Sequence, residues 1–172
     1  MGQLGFIYEN SKCIGCRACQ VACKEKNKLN ADNFFRRVDT ISYEHKLLHF
    51  SVGCNHCESP ACVSECPTNA MYILADSTVA HDKHKCIGCG ACTWACPYGA
   101  VKFSSKQGFA IKCDSCKDLR EDGQKPACVT ACLTRCLDFD NVDHIQGNEH
   151  PNFLPEKCLT HPSLKLIGRN VK

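Results

Sequence analysis

The sequence is poor in the features that make a membrane span, an export leader or a catalytic centre. No apolar run approaches the roughly 20 residues that a transmembrane helix needs, so no direct membrane span is expected. Residues 1–10 hold neither a basic leader nor a long apolar region, and do not read as a signal peptide. Phe6 stands where myristoylation requires Ser or Thr, and Arg36-Arg37 lies inside the chain rather than in an export signal. There is no nucleophile elbow, no Walker or dinucleotide glycine motif, and no HExxH, which removes the common enzyme classes. A formal charge of +3 is too small to point to nucleic acid. The cations near the first cysteines, Lys12, Arg17, Lys24, Lys26 and Lys28, read as a solvated face rather than a docking patch.

What is abundant is cysteine, 18 in 172 residues. That density marks a disulfide scaffold in short secreted chains, but without a leader the thiols are expected to be reduced and to bind metal. The run Cys86-Ile-Gly-Cys89-Gly-Ala-Cys92-Thr-Trp-Ala-Cys96-Pro97 is the bacterial-ferredoxin pattern C-x2-C-x2-C-x3-C-P. Each x2 gap is long enough for a tight loop round one cubane. The fourth Cys points away and, in two-cluster ferredoxins, ligates the neighbouring cluster. Cys13, Cys16, Cys19 and Cys23 repeat the spacing, with Lys24 in place of Pro, so a helix is expected to run on through Lys28. In Cys54, Cys57, Cys62 and Cys66 the second gap widens to x4, and Pro67 restores the ending. The fourth motif is Cys113 and Cys116, an eleven-residue polar loop over 117–127 that reads as exposed, then Cys128 and Cys132.

Alternating patterns between the motifs predict strands: one over 3–9, a hairpin over 34–52, two short strands over 70–82 round Asp76-Ser77, a hairpin from Val101 to Lys112 turning near Gly108, and a strand over 137–140. Only 19 residues separate Cys66 from Cys86, so motifs two and three should share a module, leaving one with four. Spacing alone also allows one with two and three with four. Beyond residue 140 the chain has little periodicity, and reads either as a loosely ordered tail or as an arm lying across a partner.

Four runs of four give sixteen thiolates, enough for four 4Fe–4S clusters. Zinc is the rival metal, but zinc ribbons use two separated C-x2-C pairs, not three Cys at successive x2 spacing. Apolar residues, among them Ile14, Val21, Ile87, Trp94, Val101, Phe103 and Val129, interleave with the ligands and are expected to pack round them. Trp94 is expected to fill the inner module rather than relay electrons. His56 is expected beside the ligands or on the surface rather than among them. A helix could present either Cys132 or Cys136 to one cluster; Cys132 is the choice because Cys128-x3-Cys132 repeats the other motifs. Cys158 reads as an incidental thiol.

These motifs resemble the four-cluster iron–sulfur subunits of the dimethyl sulfoxide reductase class of molybdenum and tungsten enzymes. The likeness rests on Cys-Ile-Gly-Cys-Arg-Ala-Cys at 13–19, Phe-Arg-Arg-Val at 35–38, Cys-Asn-His-Cys-Glu-Ser-Pro-Ala-Cys at 54–62, Ala-Cys-Pro-Tyr-Gly-Ala at 95–100, Lys-Cys-Asp-Ser-Cys at 112–116, Lys-Pro-Ala-Cys-Val at 125–129, Leu-Asp-Phe at 137–139 and His-Pro-Ser-Leu at 161–164. The resemblance implies an α+β fold of two interlocked ferredoxin-like dicluster modules, an outer one from 1–53 and 101–140 and an inner one from 54–100, with an irregular C-terminal arm over 141–172. It implies one cluster on Cys13, Cys16, Cys19 and Cys132, and a second on Cys113, Cys116, Cys128 and Cys23. A third would use Cys54, Cys57, Cys62 and Cys96, and a fourth Cys86, Cys89, Cys92 and Cys66. Lys24 and Leu133 depart from the Pro that often follows the last Cys, and the tail is shorter than in many members.

The implied role is that of a non-catalytic wire. It would carry single electrons between a pterin-bound molybdenum or tungsten subunit, reducing an S-oxide, N-oxide or sulfur oxyanion, and a membrane quinol-oxidising anchor or a soluble redox protein. A formate dehydrogenase, a hydrogenase-linked carbon dioxide reductase or an aldehyde oxidoreductase is the alternative host, and a non-redox zinc-binding interaction module the remote one. Such chains are assembled in the cytoplasm and can be exported with a partner.

Overall fold

The computed structural model describes residues 2–43, 45–145 and 160–167. Four short helices repeat one local design. Helices α1 (Ala18–Lys26), α2 (Ala61–Ser64), α3 (Ala91–Ala95) and α5 (Ala127–Thr130) each open with Ala-Cys, so the third cysteine of every motif sits in a first helical turn. Alanine favours the helix at no side-chain entropy cost. What precedes it turns the chain: Arg17 and Gly90 are left-handed, while Pro60 and Pro126 are extended. With no Pro after Cys23, α1 runs past that residue but stops at Lys26. Asn27 closes it by donating from its backbone N–H and its side chain to the Cys23 carbonyl, at 3.2 and 2.8 Å.

The strands supply the frame. Strands β2 (Arg36–Tyr43) and β3 (Lys46–Gly53) form the longest hairpin, and β4 (Met71–Ile73) with β5 (Val79–His81) and β6 (Lys102–Ser104) with β7 (Phe109–Ile111) form short ones. Strand β1 (Leu4–Glu9) is the centre of a three-stranded sheet, antiparallel to β8 (Leu137–Asn141) and parallel to β9 (Leu164–Ile167). Phe6 and Tyr8 of β1 point into the core with Phe35, Val38, Phe50, Leu137 and Phe139, and cysteines 19, 23, 54, 113, 128 and 132 belong to the same packed cluster. A smaller cluster gathers Met71, Val79, Val101 and Ala110 round Cys62 and Cys92. Burying a side chain such as Phe6 stabilises the fold by roughly 1.5–3 kcal/mol. Helix α1 lies against α5, and α2 against α3.

Two expectations need correction. The segment over 117–127 is not simply an exposed loop, because α4 (Lys117–Glu121) forms in it. The Arg120 side chain is only 12% exposed, and Pro126 is buried. The C-terminal arm is not irregular over its described part. Ser163 donates its N–H to Asn55 O at 3.0 Å and its hydroxyl to His56 O at 2.8 Å, and its carbonyl accepts from Phe6 N–H at 3.1 Å. The arm therefore lies on the chain's own β1 and second-motif loop. Cys158 falls outside the described residues. Among these, no helix is long and apolar enough to cross a membrane.

Candidate functional site

The first three cysteines of a motif can face one centre only if the backbone between them doubles back. In motif one Gly15 (φ 68°) and Arg17 (φ 61°) take the left-handed conformation that allows this, and in motif three Gly88 (φ 70°) and Gly90 (φ 77°) do the same. Glycine is also needed for space: a Cβ on Gly88 would stand 2.2 Å from the carbonyl oxygen of Gly108. Motif four uses Ser115 and Cys116, at φ 57° and 52°, and motif two uses His56 at φ 45°.

Each motif's fourth cysteine lies among sulfurs of a different motif. Cys66 joins Cys86, Cys89 and Cys92 in the lining of one cavity, and Cys96 joins Cys54, Cys57 and Cys62 in the lining of another. Cys23 feels the charges of Cys116 and Cys128, and Cys132 and Cys128 both act on Cys19. The cysteines are mostly buried; Cys16 and Cys89 are the exposed ones among those described. Burial pushes the Cys23 and Cys62 thiols up to about 12 and Cys57 up to about 11, with neighbouring sulfurs adding to all three. A sulfur so placed is a thiolate at neutral pH only when bound cations offset its charge, which is how metal binding and proton release become coupled.

Backbone amides are aimed at the sulfurs. Met71 N–H donates to Cys66 Sγ at 3.5 Å, Ala100 N–H to Cys96 Sγ at 3.4 Å and Ser115 N–H to Cys113 Sγ at 3.3 Å. Such bonds tune the potential of an iron–sulfur centre. The donors gathered in these two cavities are cysteine sulfurs, soft and four to each, which fits a cubane. Among the described residues no group of three or more His, Cys, Asp or Glu side chains is drawn in closely enough to hold a single metal ion.

One further expectation fails, and a second is narrowed. Trp94 does not pack the inner module; it is 91% exposed, and Ile14, Val21, Ile87 and Phe103 also face outward. His56 is not on the surface. It is fully buried, its Nδ1 accepts the Val79 N–H at 3.0 Å, and burial, then the charges of Lys112 and Arg120, hold it well below the usual histidine range. Its ring is therefore neutral, with the proton on Nε2. Cys136, four residues after Cys132, is buried with its sulfur 3.4 Å from that of Cys132. Burial and its neighbours Cys132 and Cys13 push its thiol up to about 12, while hydrogen bonds, the first from Cys136, outweigh burial at Cys132 and hold that thiol down.

Sequence comparison agrees with this chemistry. A 4Fe-4S dicluster domain model matches residues 45–142, and a 4Fe-4S binding domain model matches residues 10–26. The chain is 36% identical over 179 residues to the B subunit of the anaerobic dimethyl sulfoxide reductase of Escherichia coli strain K12, an alignment that covers 94% of this chain and 87% of that protein. The chain belongs to the iron–sulfur subunit family of the dimethyl sulfoxide reductase class. It is also 40% identical over 150 residues to the thiosulfate reductase electron transfer subunit PhsB of Salmonella typhi, covering 82% of this chain and 77% of that one. To the B subunit of the polysulfide reductase of Wolinella succinogenes it is 35% identical over 178 residues, covering 95% and 93%. As a member of this family the chain is an electron-transfer subunit of an oxidoreductase complex, with cysteines for four 4Fe–4S clusters and a catalytic subunit as partner.

The short link between Cys66 and Cys86 was a pointer in the sequence to the cavity that Cys66 shares with Cys86, Cys89 and Cys92. Arg36 and Lys112 lie within the Phe-Arg-Arg-Val and Lys-Cys-Asp-Ser-Cys motifs, but the motifs did not show that both side chains are buried beside the sites.

Proposed function

We propose that the chain is a non-catalytic wire in which motifs one and four, and motifs two and three, exchange their last cysteines. The ligand sets are Cys13, Cys16, Cys19 with Cys132; Cys113, Cys116, Cys128 with Cys23; Cys54, Cys57, Cys62 with Cys96; and Cys86, Cys89, Cys92 with Cys66. The observation that carries this reading is the crossing of fourth cysteines, Cys66 among the sulfurs of motif three and Cys96 among those of motif two. The contacts of α1 with α5 and of α2 with α3 support two interlocked ferredoxin-like units, 1–53 with 101–140 and 54–100. Each bound cluster supplies reversible uptake of one electron. The chain's own residues hold the sulfurs, shield most of them from water and aim amides at them.

The partner is a molybdenum or tungsten pterin subunit of the S-oxide or sulfur-compound reductase type, the type named in the relatives. The far end serves a membrane quinol-oxidising anchor or a soluble redox protein, and the chain is assembled in the cytoplasm. Anaerobic purification of the native complex tests this. A co-purifying large subunit with near-stoichiometric Mo or W is expected, and iron with neither metal would transfer the wire to another host.

A further inference from the structure

The interior holds two cations that no carboxylate pairs among the described residues, Arg36 (4% exposed) and Lys112 (7% exposed). Buried unpaired charge is costly and proteins avoid it, so each needs a buried anion. Arg36 donates from Nη1 to Ser51 O at 3.2 Å and Ser51 Oγ at 3.0 Å, and its guanidinium lies 4.3 Å from the centre of the Phe6 ring. Ser51 Oγ is in turn 3.5 Å from Cys19 Sγ. Because that oxygen accepts from Arg36, its own proton is free for the Cys19 sulfur. The other sulfurs whose charge Arg36 feels are Cys128, Cys113 and Cys23. Lys112 donates from Nζ to the carbonyls of Val79 and Cys113, both at 2.5 Å, and its charge acts on Cys62 and Cys113.

Resting on the ligand sets proposed above, these contacts place each cation at a junction. Arg36 stands between the set containing Cys19 and the set containing Cys113, Cys128 and Cys23. Lys112 stands between that second set and the set containing Cys62. We propose that Arg36 and Lys112 are junction cations that hold up the reduction potentials of the clusters they separate. A cluster bound by four thiolates is anionic, and each electron it accepts adds negative charge without a proton. A fixed buried cation favours the reduced form, since net charge is among the determinants of such potentials and low-dielectric surroundings screen it little. The arrangement assigns overlapping effects. The Cys113 set feels both cations, and the Cys19 and Cys62 sets one each.

Redox titration of the native complex followed by electron paramagnetic resonance, with iron counted, tests the assignment. Arg36→Met should lower the reduction constants of two clusters at least tenfold, 59 mV for one electron. Lys112→Met should lower two, one of them shared with Arg36→Met. Arg36→Lys should stay close to wild type. If Arg36→Met instead sheds the iron of two clusters while Arg36→Lys keeps all of it, the charge requirement stands. Full iron with unmoved potentials in both Met variants, equal shifts of all four clusters, or loss of iron in Arg36→Lys as well would overturn it. A wild-type chain without about 16 Fe would instead sink the four-cluster reading itself.

Discussion

Arg120 ties the loop of motif four to the hairpin of the inner motifs, and its replacement has a cost that can be worked out. Its Nη1 donates to Asp76 Oδ2 at 2.5 Å, its Nη2 to Thr78 Oγ1 at 3.4 Å and its Nε to Ser115 O at 3.1 Å, within the Cys113–Cys116 loop. The two paired side chains are 12% and 26% exposed. Burial alone would raise the Asp76 carboxyl, but hydrogen bonds from Thr78 and Arg120 outweigh it and hold the group down at about 2. Holding the carboxyl that far down is worth roughly 2.5 kcal/mol. Shared with Thr78 and reduced for solvent screening, Arg120 keeps about 1 kcal/mol of it. Adding about 1.5 kcal/mol for the charge-assisted bond to Ser115 O, Arg120→Met should cost about 2–3 kcal/mol and Asp76→Asn about 1–2 kcal/mol, with a coupling near 1 kcal/mol in the double mutant. The assay is the rate of loss of visible cluster absorption in denaturant under argon. If the contact is broken in the transition state, Arg120→Met should speed that loss by roughly 30- to 160-fold. Because the folded carboxyl titrates below its unfolded value, its contribution is complete above about pH 5 and is lost only as pH falls towards 2. The Asp76→Asn penalty should therefore be the same at pH 6 and pH 8. Additive single mutants, or Arg120→Met within about twofold of wild type, would refute the staple.

Three further outcomes follow from the sites. Gly88→Ala forces a Cβ to within 2.2 Å of the Gly108 carbonyl in a left-handed turn, and should remove about 4 Fe, one cluster, while the others persist; iron analysis with paramagnetic resonance reads this. Cys132→Ser should remove or convert one cluster and Cys136→Ser should leave all four, so the reverse pattern in the same analysis would exchange their roles. Ser163→Ala removes bonds to His56 O and Gln3 Nε2 from a buried position, and should lower stability by about 1–2 kcal/mol, read as a lower melting temperature of the loaded protein.

Local patterns were legible in the sequence. The hairpins at 36–53, 71–81 and 102–111 lie where the strand patterns placed them, and the Ala-Cys helix starts recur in all four motifs. Non-local features were not. Strand β9 pairs in parallel with β1 from the opposite end of the chain, and no short-range pattern announces such a partner. Helix α4, Lys-Asp-Leu-Arg-Glu, is too polar and short to show an apolar stripe. Trp94 and Ile87 look like core residues because they sit among ligands. Both nevertheless face solvent. Arg36 and Lys112 sit beside the cysteine motifs in the sequence, and only the fold shows that both are enclosed.

The most direct test of the central claim is iron and acid-labile sulfide per copy of the full chain, purified without oxygen and analysed for zinc alongside. Four cubanes predict about 16 of each, with little zinc. Zinc in place of iron, or iron near half that level in a fully folded chain, would contradict the account.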